Sequence, residues 1–270
     1  MSDAEAIRQF EHAGWERAAD TYEASFAPAT RQFVSDLLDA AGVGPGNAVL
    51  DIACGPGHVT KAAAEQGAAA CGLDFSAAML RVARGRYPGL TFDQGDAEHL
   101  PYADGAFDAV ISNFGIHHVP RPALAIGEAF RVLRGGGRIA FTIWAAPSEN
   151  KAWGLVFDAI RACGDPAASK APPPGGRFGA PADCIRVLED GGFSGAAVRQ
   201  LRGVWRLADG AALLAAMRAG TARMAGLIEA QDPACLPMIA AWIDREAAAY
   251  RAASELRIPI SAFAAAARRP

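Results

Sequence analysis

Two hydrophobic rhythms divide the chain. Up to about residue 145, short apolar runs alternate with segments whose apolar positions recur at helical spacing. After the turn Gly44-Pro45-Gly46-Asn47, the run Ala48-Val49-Leu50-Asp51-Ile52 carries a carboxylate near its end, as a buried parallel strand does at a site. Val59 to Gln66 predicts a helix closed by Gly67. Ala68 to Leu73 predicts a second buried strand ending at Asp74, and Ser76 the N-cap of a helix running to about Arg86. Leu90-Thr91-Phe92, Phe107 to Asn113 and Arg138 to Trp144 predict strands three to five; before the last comes a helix, Ala123 to Leu133, stopped by Gly135-Gly136-Gly137. Strand and helix alternating at this spacing imply an α/β fold with a doubly wound parallel sheet.

Outside that stretch the pattern changes. Asp3 to Ala41 is helical in character, with Phe10, Ala13, Trp15, Tyr22 and Phe26 near one side and a break at Pro28, which predicts two short helices before the first strand. Ala171-Pro172-Pro173-Pro174-Gly175-Gly176 is too rich in proline for a regular element and reads as a surface loop near the site. Pro181 to Glu189 is helical, ended by Gly191-Gly192, and Ala196 to Val204 alternates as a strand. Leu213, Leu214, Met217, Met224, Leu227 and Ile228 then fall at helical spacing, as do Met238, Ile239, Trp242 and Ile243 after Pro237. Two or three helices therefore precede a last strand over roughly Leu256 to Phe263.

Composition narrows the function classes. With 270 residues, 51% of them hydrophobic, the chain can bury one large core with an elaboration. Its formal net charge of -3 provides no broad positive field for a phosphate backbone, so no nucleic-acid partner is expected; Arg81, Arg84 and Arg86 are spaced like a solvated helix face. The five cysteines are scattered, with no Cys-x-x-Cys spacing, and read as small buried hydrophobes in a reducing compartment. No apolar run is long enough to span a bilayer, and Asp3 and Glu5 stand where a signal peptide is basic and then apolar, so the expected location is cytoplasmic, with no membrane partner. His12 and His99 have no partners in sequence that suggest a metal site, and no metal is expected.

The chemistry concentrates at strand ends. In Asp51-Ile52-Ala53-Cys54-Gly55-Pro56-Gly57-His58, glycines between a strand and a helix let the backbone approach a ligand at the carboxyl edge of the sheet. Asp74 ends the next strand, where a carboxylate can accept both ribose hydroxyls of an adenosine, and Asp96 follows strand three; three acids at successive strand ends face one crevice. A nicotinamide dinucleotide also wants glycines and a ribose-binding acid, but Thr60 stands where the third glycine should be and Asp96-Ala97 has no role in that scheme.

Val49 to Thr60, Cys71 to Met79, Gly95 to Pro101 and Phe107 to Val119 resemble the four cofactor motifs of class I S-adenosylmethionine-dependent methyltransferases. The closest resemblance is to the branch with the ubiquinone and menaquinone C-methyltransferases and many small-molecule enzymes. The resemblance spans residues 10 to 145 by motif and continues weakly from Phe178 to Phe193; where Ala53 stands, the motif usually has glycine. It implies a Rossmann-like, doubly wound, seven-stranded, mostly parallel sheet with an antiparallel last strand and a helical lid insertion. The implied division is leading helices over 1–42 covering the cofactor site, a core of 43–206 and 255–270, and an inserted segment over 207–254 acting as lid or dimerisation face. It also implies S-adenosyl-L-methionine as cofactor. Gly55 and Gly57 would approach its methionine part and Asp51 support the ammonium; Asp74 would hold the ribose and Asp96 with Ala97 contact the adenine. Phe75 and Met79 would pack on the ring, Asn113 present its backbone to the methionine, and Trp15 and Tyr22 close over the site.

The donor is intrinsically reactive, so the enzyme's main task is alignment and exclusion of water. A hydroxyl or carbon acceptor also needs a base, and His117-His118 after strand four is the candidate pair. Adjacent residues on an extended chain point opposite ways, so only one should face substrate, and His118 is preferred. His58 reads as a helix-start residue. The apolar inserted helices favour a small hydrophobic or aromatic acceptor, while the same surface could serve a homodimer. Methylation of a protein or nucleic acid, or a scaffold that holds the cofactor without turnover, are the competing readings.

Overall fold

The computed structural model describes residues 2–174 and 180–270. Gly175, Gly176 and Phe178, part of the expected loop and of the weaker resemblance, lie outside the described residues.

The first strands, β1 (Ala48–Ile52), β2 (Ala69–Asp74), β3 (Thr91–Gln94), β4 (Phe107–Asn113) and β5 (Leu133–Trp144), are joined by α5 (His58–Glu65), α6 (Ala77–Arg86) and α7 (Pro122–Val132). Four helices precede them: α1 (Asp3–Ala18), α2 (Tyr22–Ser25), α3 (Ala27–Thr30) and α4 (Val34–Ala41). After β5 come α8 (Lys151–Cys163), α9 (Pro181–Asp190), β6 (Ser194–Leu207), α10 (Gly210–Gly220), α11 (Arg223–Ile228), α12 (Leu236–Glu246), β7 (Arg251–Ala252) and β8 (Glu255–Arg268).

Among the described residues, seven strands run in the order β3-β2-β1-β4-β5-β8-β6, with the two-residue β7 added on β8. β1 to β5 pair in parallel, and β8 is antiparallel to both β5 and β6. The strand alternation sorts the core into two layers. Val49 turns to one face, with Leu37, Leu38 and Ala63 of α4 and α5; Leu50 and Ile52 turn to the other, with Ile126, Val132 and Leu188 of α7 and α9. Strand order reverses between β1 and β4, so their carboxyl ends open the crevice where such sheets bind ligands.

A third cluster sits beyond that end, where α8 and α10 to α12 pack on Trp205, Leu256, Ile258 and Ile260. Met217 and Met224 are buried in it, whereas Met238 faces solvent, because Ile239 and Ile243 take the inward positions of α12.

Several elements differ from the sequence reading. Pro28 starts a helix instead of breaking one, since it sits in the first turn of α3, where its missing N–H has no helical role. Gly135-Gly136-Gly137 does not separate α7 from β5 but lies inside a twelve-residue strand, at a register shift against β4. β6 and β8 are fourteen residues each because they pair with each other for most of their length, and α8 had not been anticipated. Cys54 and Cys184 are buried, but Cys71, Cys163 and Cys235 are only half-buried; none is disulfide-bonded. Arg81, Arg84 and Arg86 are exposed, as expected of a solvated face, and Arg81 and Arg86 pair there with Asp20 and Glu23. Among the described residues no helix is long and apolar enough to cross a membrane.

Candidate active site

The chain turns sharply after β1. Ala53, Gly55 and Gly57 have φ of 54°, 53° and 83°, a left-handed region that side chains disfavour. Gly57 caps α5, and a Cβ on it would stand 2.7 Å from the Phe92 ring. Ala53 keeps its methyl in that region at a strain of about 1–2 kcal/mol.

Asp51 is fully buried. Its Oδ2 accepts from the Thr60 hydroxyl at 2.7 Å, while Oδ1 is buried and accepts no hydrogen bond among the described residues. Burial pushes the Asp51 carboxyl up to about 7, against the Thr60 bonds that favour the anion. Asp74 closes β2, accepting from the Gly55 N–H at 2.8 Å on Oδ2 and from the Ser76 N–H at 2.9 Å on Oδ1. Burial again dominates and pushes it up to about 6. Asp96 accepts from the Glu98 N–H at 2.9 Å and pairs through Oδ2 with Arg8.

These three acids line one cavity with Ala53, Gly55, Phe75, Met79, Ala97, Asn113, Trp15, Tyr22 and His118, which brings together twelve of the fourteen expected site residues. The other two stand elsewhere. Gly57 does not line the cavity; it turns the chain into α5 and packs against Phe92. His117 does not line the cavity; burial, with His118 and Arg223 nearby, pushes its imidazole well toward the neutral form. The two histidines sit in a tight helical turn, Ile116–His118, rather than on extended chain, so their rings lie 4.2 Å apart instead of on opposite sides.

The side chains around the cavity are tied into the fold. Asn113 donates to the Thr30 carbonyl at 3.3 Å and accepts from the Thr142 hydroxyl at 2.6 Å, leaving its backbone at the cavity edge. The Tyr22 hydroxyl lies 3.1 Å from that of Thr30, and burial pushes its phenol up to about 12. Phe114 forms an apolar wall backed by Trp144, stacked at 3.9 Å, and then Trp153, 4.4 Å further on. His58 begins α5 and reaches Glu23 at 2.8 Å.

Sequence reasoning missed the charged residues of α1. Its buried face is Ile7, Glu11, Gly14 and Ala18, so Glu11 shares the helical spacing of its apolar neighbours, and that was the available signal. Arg8 pairs with both Asp96 and Glu98. Glu98, whose side chain is fully buried, also accepts three bonds from Arg121. Glu11 lies between Trp15, His118 and Arg223.

Residues 50–141 match the family described as a methyltransferase domain. The chain is 40% identical over 119 residues to a demethylmenaquinone methyltransferase of Renibacterium salmoninarum, covering 44% of this chain and 50% of that one. It is 35% identical over 153 residues to a malonyl-[acyl-carrier protein] O-methyltransferase of Pseudescherichia vulneris, covering 56% and 61%. The match thus spans about half the length of the demethylmenaquinone relatives. The solved structure of Haemonchus contortus phospholethanolamine N-methyltransferase 2 superposes with a TM-score of 0.61 at 17% identity, over all of this chain and 60% of that one, a likeness of fold. Residues 50–141 accordingly form a methyltransferase domain, and the chain is similar over part of its length to demethylmenaquinone methyltransferases.

Proposed function

We propose that the chain transfers a methyl group from S-adenosyl-L-methionine to a small hydrophobic or aromatic molecule. The observation that carries this reading is Asp51 Oδ1, a buried carboxylate oxygen that lacks a partner and belongs to a residue on the cavity wall. Such an atom calls for a cationic donor, and the ammonium of the cofactor's methionine part is one.

The other residues fit the same ligand. Each Asp74 oxygen spends one lone pair on a backbone N–H and keeps another for a ribose hydroxyl. Phe75 and Met79 offer apolar surface to an adenine ring, Asp96 and Ala97 its edge, and Gly55 and the Asn113 backbone the methionine part. Trp15 and Tyr22, from residues 1–42, line the cavity, and Arg223 of the segment 207–254 reaches Glu11 beside His118. When bound, the cofactor supplies a methyl group already activated on sulfur. The chain's own residues orient the acceptor, exclude water, and through His118 take a proton where the acceptor atom carries one. The Phe114–Trp144 wall favours an aromatic acceptor, in line with the quinone relatives, over a malonyl thioester. Five unpaired cysteines are in keeping with a cytoplasmic setting.

Purified protein incubated with methyl-labelled cofactor and a panel of naphthoquinols, catechols, phenols and malonyl thioesters tests this. Label should pass to an aromatic acceptor. Transfer to the thioesters alone would overturn the acceptor class, and cofactor binding without any transfer across a broad panel would favour a non-catalytic scaffold.

A further inference from the structure

We propose that Glu11 is the positioning residue of this site: its buried carboxylate holds the His118 imidazole with a proton on Nδ1, so that Nε2 is left as proton acceptor toward the cavity, and Arg223 of the inserted segment fixes that carboxylate. The inference rests on the methyltransferase reading for its chemistry, but its geometry is independent of it.

Glu11 projects from the N-terminal helix with its side chain fully buried. A carboxylate so placed is strongly disfavoured unless partnered on both oxygens. Its Oε2 accepts a hydrogen bond from Trp15 Nε1 at 3.0 Å, while His118 Nδ1, 3.0 Å from Oε2, and Arg223 Nε, 2.6 Å from Oε1, stand at ion-pair distance without the alignment of a hydrogen bond. Burial alone would raise the Glu11 carboxyl, yet His118, Arg223 and Trp15 together hold it below the usual carboxylate range. An ionised Glu11 accepts only, so the ring nitrogen facing it must be the one that carries hydrogen. The Trp15 ring packs edge-on against His118 at 5.0 Å, restricting its rotation.

Three distant chain segments meet here: the leading helix, the turn after β4, and α11. Their approach is close, since a Cβ on Gly14 would stand 2.4 Å from the Ala222 Cβ, the residue before Arg223. Arg223 also donates from Nη1 to the Pro172 carbonyl at 2.8 Å, so it anchors the proline-rich stretch at the same point. The charged and titratable groups facing His118 are Glu11 from α1, Arg223 from α11 and His117 from its own turn; Arg8 and Asp96 stand on the same cavity wall. Glu11 and Arg223 cancel in charge, so a neutral His118 leaves the cluster balanced, and a protonated one gains the carboxylate as counter-ion.

For a hydroxyl acceptor, the oxygen forms its bond to the methyl carbon as the sulfur–methyl bond breaks and its electron pair stays on sulfur. The hydroxyl proton passes to His118 Nε2, and the imidazolium, paired with Glu11, later releases it to solvent.

Nitrogen-15 NMR of the protein with labelled histidine rings tests this without an acceptor, His118→Gln identifying the signal. Neutral His118 should show a protonated Nδ1 and a bare Nε2. Glu11→Gln should weaken that preference, with hydrogen appearing on Nε2, and Glu11→Asp should restore part of it. Because Glu11→Gln could itself unsettle the buried cluster, Glu11→Met with Arg223→Met removes both charges together and should leave His118 without its tautomer preference. A wild-type His118 protonated on Nε2, or an Nδ1–H preference unchanged when both Glu11 and Arg223 are replaced by Met, would overturn the assignment. Calorimetric binding of S-adenosylhomocysteine by the wild type separates the two readings, for a wild type that binds it but lacks the Nδ1–H signature counts against Glu11 alone.

Discussion

Arg8 reaches from the N-terminal helix to Glu98 at 2.8 Å, and the same guanidinium pairs with Asp96, one of the acids that line the cavity. One side chain therefore links the docking of α1 to the shape of the expected adenine pocket.

Arg8→Ala should loosen that helix without unfolding the domain, because buried Glu98 keeps its three bonds from Arg121. Hydrogen exchange over Asp3–Ala18 should quicken about tenfold, the equivalent of roughly 1.4 kcal/mol of local stability, while exchange in the central strands stays unchanged. Unaltered exchange in α1 would mean that its apolar face alone docks it.

Ala53 and Gly115 are complementary: a Cβ on Gly115 would stand 2.6 Å from that of Ala53 and 2.8 Å from the Ser112 hydroxyl oxygen. Gly115→Ala should destabilise by about 1–3 kcal/mol in denaturant titrations. Adding Ala53→Gly should recover most of that loss, since it removes the nearer clash and the strain of a methyl at positive φ. Additive effects in the double variant would contradict the pairing.

Much of this site was legible because strand ends are local features. Asp51 and Asp74 follow short buried runs, the Ser76 cap was read from its own residue type, and the bounds of β4 were as predicted from its flanks. What escaped depends on partners far along the chain. Glu11 shares the spacing of the buried face of α1, but its partners His118 and Arg223 lie far along the chain, as does Asp96 from Arg8. The glycines 135–137 read as a stop because the bonds that hold them in β5, Gly136 N–H to the Arg269 carbonyl at 2.9 Å and Arg269 N–H to the Gly137 carbonyl at 2.8 Å, are not local. The His117-His118 geometry was misjudged because an extended chain was assumed where a tight helical turn forms.

Asp51 and Asp74 set a pH dependence. Their folded carboxyls titrate at about 7 and about 6, both above the unfolded range, so the folded state holds more protons between those limits. Stability of the ligand-free protein should therefore fall as pH rises from about 4 to about 7. Asp51→Asn removes the larger share: it should be more stable than wild type at pH 8 by on the order of 1–3 kcal/mol, with the gap closing toward pH 4. Thermal unfolding at the two pH values reads this directly, and a gap that widens on acidification would contradict it.

Asp51→Asn should also weaken the cofactor while it stabilises the fold, a trade expected where a buried charge is kept for a ligand. Asp74→Ala should weaken it without that gain, losing about 1–3 kcal/mol of binding, or roughly 5- to 150-fold in Kd.

The most direct test is calorimetric titration of the purified chain with S-adenosylmethionine and S-adenosylhomocysteine, with NAD as the control and Asp74→Ala alongside. Saturable binding of the first two, weakened in the variant and absent for NAD, is the result predicted. Binding of NAD alone, or of neither adenosyl compound, would contradict the account.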